Sequence, residues 1–123
     1  MKKNIKLLVV DDNTQLRTLI RVSFKKHTHI EVFEAIDGTD GLRQFKEIQP
    51  DILISDVMMQ GEIDGLSLCQ QVKSSTHLCR VILLSGKAGK GDIELGMQAG
   101  ADFYIVKPFS PIELINVVDK LID

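Results

Sequence analysis

Five short apolar runs, spaced at fairly even intervals, constrain the fold more than any other feature of the chain. They are IKLLVV (5–10), IEVFEA (30–35), DILIS (51–55), RVILLS (80–85) and DFYIV (102–106). The first, third and fourth are continuous and rich in β-branched residues, the pattern of strands covered on both faces. The second alternates, Ile30 and Val32 against Glu31, and predicts a less covered edge strand. Between the runs lie helical stripes: Leu16, Leu19, Ile20 and Phe24; then Leu42, Phe45 and Ile48, stopped by Pro50; then Leu66, Cys69 and Val72. After Ser85 the helical pattern weakens, because Gly86, Gly89, Gly91 and Gly96 interrupt it. The last helix has the clearest start, with Ser110 at the N-cap, Pro111 in the first turn and Glu113 in the capping-box position. Strand and helix alternating five times imply a parallel sheet with helices on both faces. No linker, repeat or low-complexity stretch divides the chain, so residues 1–123 are expected to form a single α/β domain.

Composition narrows the function classes. The 123 residues are long enough for a real core without disulfide or metal staples. A formal net charge of -2 offers no electrostatic footprint for nucleic acid. No apolar run is long enough to span a bilayer, so membrane insertion is not expected, and the start MKKNIKLLVVDDN does not read as a signal peptide. Cys69 and Cys79 lack metal-ligand spacing and suit a reducing, cytoplasmic setting as core residues. His27, His29 and His77 are scattered and read as structural or surface groups.

In open parallel sheets, ligands bind beyond the carboxyl ends of the strands, near the point where the strand order reverses. Asp11 and Asp12 follow the first run and Asp56 follows the third; Ser85 ends the fourth and Lys107 follows the fifth. Taken singly, each has a plain reading: Asp12 or Asn13 as a helix cap, Ser85 as a turn residue, Lys107 as an exposed charge. Asp56 resists one, because an acid ending a buried strand is costly unless something compensates it. Together they aim three carboxylates, a hydroxyl and an ammonium at one edge of the sheet.

Such carboxylates repel. At about 4 Å and an effective dielectric of about 20, each pair costs roughly 4 kcal/mol. Either one acid holds a proton or a cation joins them, and oxygen-only ligands favour Mg²⁺ or another hard divalent ion. A carboxylate beside Mg²⁺, a lysine and a hydroxyl is a plausible phosphoryl acceptor, since that transfer needs mostly positioning and charge neutralisation.

The motifs LLVVDDN (7–13), DILISDVMM (51–59), VILLSG (81–86) and AGADFYIVKPF (99–109) resemble the receiver domain of two-component response regulators, over essentially the whole chain. The resemblance implies a flavodoxin-like, doubly wound five-stranded sheet of order 2-1-3-4-5. It implies that Asp56 takes a phosphoryl group from a histidine kinase or a histidine phosphotransfer protein. Mg²⁺ would be held by Asp12 and Asp56 directly, by Asp11 through water and by the backbone carbonyl of Met58. Ser85 would bond the phosphoryl group, Lys107 would pair with it, and the Lys107–Pro108 bond would be cis. Tyr104 matches the family's switch aromatic, acting with Ser85. A downstream effector protein would read the face of the fourth helix, fifth strand and fifth helix. The chain would assist its own phosphorylation and dephosphorylation without being a turnover enzyme, acting alone or as part of a longer regulator.

The sequence departs from the family pattern at Gln60, where proline is usual, and at Gly61 and Glu62, which enlarge the loop before Asp64-Gly65. Ser85 stands where threonine is commoner. Three rival readings stand beside this one. A P-loop is rejected, because Gly86 and Gly91 are followed by Asp92-Ile93 rather than Lys-Ser. An aspartyl-phosphate phosphatase would share the metal and nucleophile but needs a substrate cover. A never-phosphorylated binding module would not need the full set of Asp11, Asp12, Asp56, Ser85 and Lys107. Finally, Arg17, Arg21, Lys25 and Lys26 on the first helix form either a solvated basic face or a kinase-docking face.

Overall fold

In a computed structural model describing residues 4–122, five strands and five helices alternate along the chain. They are β1 (Ile5–Val10), α1 (Thr14–Ser23), β2 (Ile30–Ala35), α2 (Gly38–Ile48), β3 (Ile52–Asp56), α3 (Gly65–Lys73), β4 (Arg80–Ser85), α4 (Lys90–Gln98), β5 (Phe103–Val106) and α5 (Pro111–Ile122). The sheet is wholly parallel, in the order β2-β1-β3-β4-β5, as expected. From β1 the chain steps one way to β2, then the other way through β3, β4 and β5. Because parallel crossovers are right-handed, this reversal sends α1 to one face and α2, α3 and α4 to the other.

Two cores follow from the two-residue period of the strands. Leu7, Val9, Ile52, Ile54, Ile82, Leu84 and Ile105 point to one face, where Ile20 of α1, Phe24 just past its end and Leu114, Val117 and Val118 of α5 cover them. Leu8, Val10, Leu53, Val81 and Leu83 point to the other, against Phe45, Leu68, Cys69, Val72 and Ala99. β2 is an edge strand with a partly open middle, as its alternation predicts.

Four helix starts are fixed by side-chain caps: Asn13 Oδ1 accepts from the Leu16 N–H at 3.1 Å, Asp37 Oδ1 from Asp40 at 2.8 Å, Asp64 Oδ1 from Ser67 at 2.9 Å and Ser110 Oγ from Glu113 at 3.1 Å. α4 forms despite its glycines, but its N-cap, Gly89, offers no side-chain bond. The first helical stripe is rotated from the expected one. Leu19 is 43% exposed, whereas Arg17 is only 8% exposed and lies among the buried polar residues.

Candidate functional site

The strand period also sorts the site residues. β1 and β3 pair Val10 with Ser55, so Asp11 and Asp56 occupy neighbouring positions just where the two strands part. That parting is the crevice between β1 and β3, where the strand order reverses. Asp56 is the last residue of β3 rather than the first beyond it, and is 8% exposed. Asp11 is 1% exposed, and Asp12 is exposed. One oxygen from each of Asp11, Asp12 and Asp56 can lie within 4.8 Å of the others, so the three acids form a single cluster.

Lys107 closes the cluster from the β5 side. Its Nζ lies 3.3 Å from Asp56 Oδ1 and 3.8 Å from Asp11 Oδ2. The Lys107 N–H donates to the Ser85 carbonyl at 2.8 Å, which anchors the backbone that carries the side chain; the Lys107–Pro108 peptide is cis, as expected. The Met58 N–H approaches Asp56 Oδ1 at 3.4 Å, and the Asn13 N–H donates to Asp11 Oδ1 at 2.8 Å. Asp11 Oδ2, by contrast, is a buried oxygen with no hydrogen-bond partner among the described residues. Buried polar atoms are nearly always bonded, so this one marks a place where another group belongs. Burial pushes the Asp11 carboxyl above its ordinary value; the Asn13 N–H and the Lys107 charge pull it down, and the charges of Asp56 and Asp12 push it up again.

Ser85 and Tyr104 lie on the opposite side of the sheet edge, which is the face of Leu83. Rather than bonding the acids, they meet at Lys87. Ser85 Oγ accepts the Lys87 N–H at 3.1 Å, and the Tyr104 hydroxyl donates to the Lys87 carbonyl at 2.8 Å. The Tyr104 ring lies so close to α4 that a Cβ on Gly96 would come 2.7 Å from its edge. The hydroxyl of Ser85 and the ring of Tyr104 are therefore joined through one residue of the β4–α4 loop.

The β3–α3 loop turns at Gly61, whose φ of 108° is a left-handed conformation suited to glycine. It then packs Ile63 on the start of α2 and ends at Asp64, the cap of α3. Gly65 has a separate reason to be glycine, since a Cβ there would sit 2.0 Å from the Asp56 carbonyl oxygen. α3 thus begins directly against the residue that carries the acid.

Two groups were missed by sequence reasoning. Arg17 is not on a solvated or docking face. Its Nη1 donates to the Asp11 carbonyl at 2.6 Å, its Nε to Glu34 Oε1 at 3.2 Å and its Nη2 to Thr14 Oγ1 at 3.2 Å. Arg17 stands three residues before Ile20 and seven before Phe24, so the helical period itself places it on the buried face. Glu34, which also accepts from Arg21 Nε at 3.0 Å, gave no sequence signal, because its strand alternates weakly.

Comparison with known proteins agrees with this geometry. Residues 7–119 match the response regulator receiver domain family. The chain is 34% identical over 111 residues to the Bacillus subtilis alkaline phosphatase synthesis transcriptional regulatory protein PhoP, covering 90% of this chain and 45% of that protein. It is 36% identical over 102 residues to the Streptomyces coelicolor transcriptional regulatory protein AfsQ1, covering 83% of this chain and 44% of that one. The chain thus spans less than half the length of these relatives. The receiver domain of the Francisella response regulator 1452 superposes with a TM-score of 0.89 at 32% identity, over 97% of both chains. An acidic cleft at the strand-order reversal, a lysine across it and a family match along nearly the whole sequence converge: the chain belongs to the response regulator receiver domain family.

Proposed function

We propose that Asp56 accepts a phosphoryl group from a phosphohistidine on a partner histidine kinase or histidine phosphotransfer protein. The observation that carries this reading is the shared ammonium of Lys107, 3.3 Å from Asp56 and 3.8 Å from the buried Asp11 Oδ2, an oxygen with no hydrogen bond among the described residues. An Asp56 oxygen forms the new P–O bond while the P–N bond breaks, its electron pair going to the imidazole nitrogen. Lys107 offsets charge on the phosphoryl oxygens, and the Met58 N–H helps hold the carboxylate in place.

An all-oxygen donor set in which Asp11 Oδ2 has no hydrogen bond among the described residues fits Mg²⁺, which Asp12, Asp56 and the Met58 carbonyl would hold, with Asp11 assisting. When bound, Mg²⁺ neutralises charge on the transferring phosphoryl group. The chain assists this chemistry at its own aspartate and does not turn over small phosphate esters.

The donor docks on a groove of about 430 Å³ beside Lys107, lined by Asn13, Leu16, Leu19, Lys107, Pro108 and Phe109. This replaces the basic face of α1 as the docking surface, since Arg17 is buried and Arg21 is paired with Glu34. Leu19, exposed against its helical stripe, belongs to that groove. Once Asp56 is phosphorylated, the Ser85 hydroxyl turns to a phosphoryl oxygen and leaves the Lys87 N–H. That shifts the loop to which Tyr104 is bonded and biases the surface of α4, β5 and α5. Leu95, Phe103 and Ile112 are exposed on these three elements and suit an effector protein.

Intact mass after incubation with a small phosphodonor, with and without Mg²⁺, tests the acceptor. Wild type is expected to gain one phosphoryl group only with Mg²⁺, and Asp56→Asn none. Gain by Asp56→Asn, or steady phosphate release from small esters, contradicts the reading; the latter favours a phosphatase.

A further inference from the structure

We propose that Arg17 is a positioning residue for the acid cluster, clamping the Asp11 carbonyl so that Asp11 and Asp12 present their carboxylates to a divalent cation. The inference rests on the phosphoacceptor reading of the same site. A buried guanidinium is costly unless every direction of its fork is used. Here three directions are used, and they reach three elements: the Asp11 carbonyl at the β1–α1 turn, Thr14 at the start of α1 and Glu34 on β2. Glu34 is itself held, since its Oε2 accepts from Arg21 at 3.0 Å and its backbone carbonyl accepts from Gln44 Nε2 at 2.8 Å.

Stability alone does not explain such an arrangement, because well-packed apolar residues commonly replace a buried ion pair without loss. The position of the clamp does explain it. The Asp11 carbonyl belongs to the peptide joining Asp11 to Asp12, so fixing it fixes the orientation of that peptide. The Asn13 N–H on Asp11 Oδ1 fixes the carboxylate from the other side. Without Arg17 that peptide can tilt, and both acids swing with it. Residues that orient metal ligands from behind typically contribute 10–100-fold to affinity. Lysine cannot substitute, because three donors on one nitrogen cannot reach acceptors spread around the Nε, Nη1 and Nη2 of a planar fork.

The test uses Arg17→Met, which keeps the length and burial without the donors, and Arg17→Lys, which keeps the charge. Mg²⁺ affinity is read by calorimetry on the unphosphorylated protein, and labelling by a small phosphodonor is followed across Mg²⁺ concentrations. Both variants are expected to bind Mg²⁺ about tenfold more weakly than wild type, yet to approach the wild-type labelling rate at saturating Mg²⁺. A purely stabilising role would lower the unfolding midpoint and leave the Mg²⁺ affinity unchanged. Affinity within twofold of wild type in folded Arg17→Met overturns the proposal, as does full rescue by Arg17→Lys, which would make the effect one of charge. If Arg17→Met does not fold, Glu34→Gln loosens the clamp without removing it. Weakened Mg²⁺ binding there supports the proposal, and unchanged binding overturns it. A wild type that neither binds Mg²⁺ nor is labelled overturns the phosphoacceptor reading and this inference together. Where the wild type does both, a failure in the variants concerns Arg17 alone.

Discussion

The sheet carries an acid–lysine group at each end, and the two are built to opposite effect. At the amino end, Asp102 precedes β5 and is satisfied on every side. Its Oδ2 takes the Lys73 ammonium at 2.7 Å and the Val81 N–H at 2.8 Å, and its Oδ1 lies 3.5 Å from Arg80. Burial alone would raise its carboxyl, but the Lys73 and Val81 hydrogen bonds and the charges of Lys73 and Arg80 outweigh burial and hold it below the ordinary range. At the carboxyl end, one lysine serves two buried acids, Asp11 Oδ2 has no hydrogen bond among the described residues and the Asp11 carboxyl is pushed up. The same residue types make a clamp in one place and a site in the other. The difference is whether the polar groups are left needing something more.

Matched substitutions sharpen the contrast. Asp102→Asn leaves Lys73 half-buried without its counter-charge and should cost about 2 kcal/mol of stability, measured by urea unfolding. Asp11→Asn removes a crowded charge and should gain about 1 kcal/mol without divalent ions, while losing the response to Mg²⁺. Equal losses at both ends would break the comparison.

Acid separates the two ends again. Because the folded Asp102 pKa is depressed, the unfolded chain takes up that proton first. Its stabilisation is full above the ordinary value of 3.8 and is lost as pH falls from there through the folded pKa. Asp11, raised in the folded protein, works in the opposite direction: its protonation favours the folded state as pH falls. The wild type minus Asp102→Asn stability difference should therefore shrink below about pH 4, whereas the difference from Asp11→Asn should shrink by the wild type gaining ground. The smallest expected effect concerns the thiols. Burial pushes Cys69 up to about 11 and Cys79 up to about 12, so neither should react with iodoacetamide in the native state, while both react in denaturant.

How much of this was legible in the sequence depends on the range of the interaction. The five strands and the two-face layering follow from local periodicity, so all five runs fall on strands within a residue of their expected ends. The convergence of Asp11, Asp12, Asp56 and Lys107 was legible because a parallel sheet brings strand ends together without needing to know any side-chain geometry. The Ser110 cap was readable because it is local. Leu19 and Arg17 exchanged places because a leucine next to an isoleucine reads as core, and an arginine as surface, until its partners on another strand are known. Lys73 and Asp102 lie 29 residues apart and meet only once α3 packs beside β4 and β5. That Asp11 Oδ2 has no hydrogen-bond partner among the described residues is equally invisible, since it depends on where every neighbouring donor ends up.

The central claim is that the carboxyl edge is completed by a divalent cation while the amino edge needs none. The direct measurement is the thermal unfolding midpoint across a Mg²⁺ titration, for wild type, Asp11→Asn and Asp102→Asn. With Mg²⁺ at ten times its dissociation constant, linkage stabilises the folded state by about 1.4 kcal/mol, or roughly 5 °C for a chain of this size. The account predicts that rise in wild type and, from a lower starting midpoint, in Asp102→Asn, with none in Asp11→Asn. No rise in wild type at millimolar Mg²⁺, or an equal rise in Asp11→Asn, would contradict it.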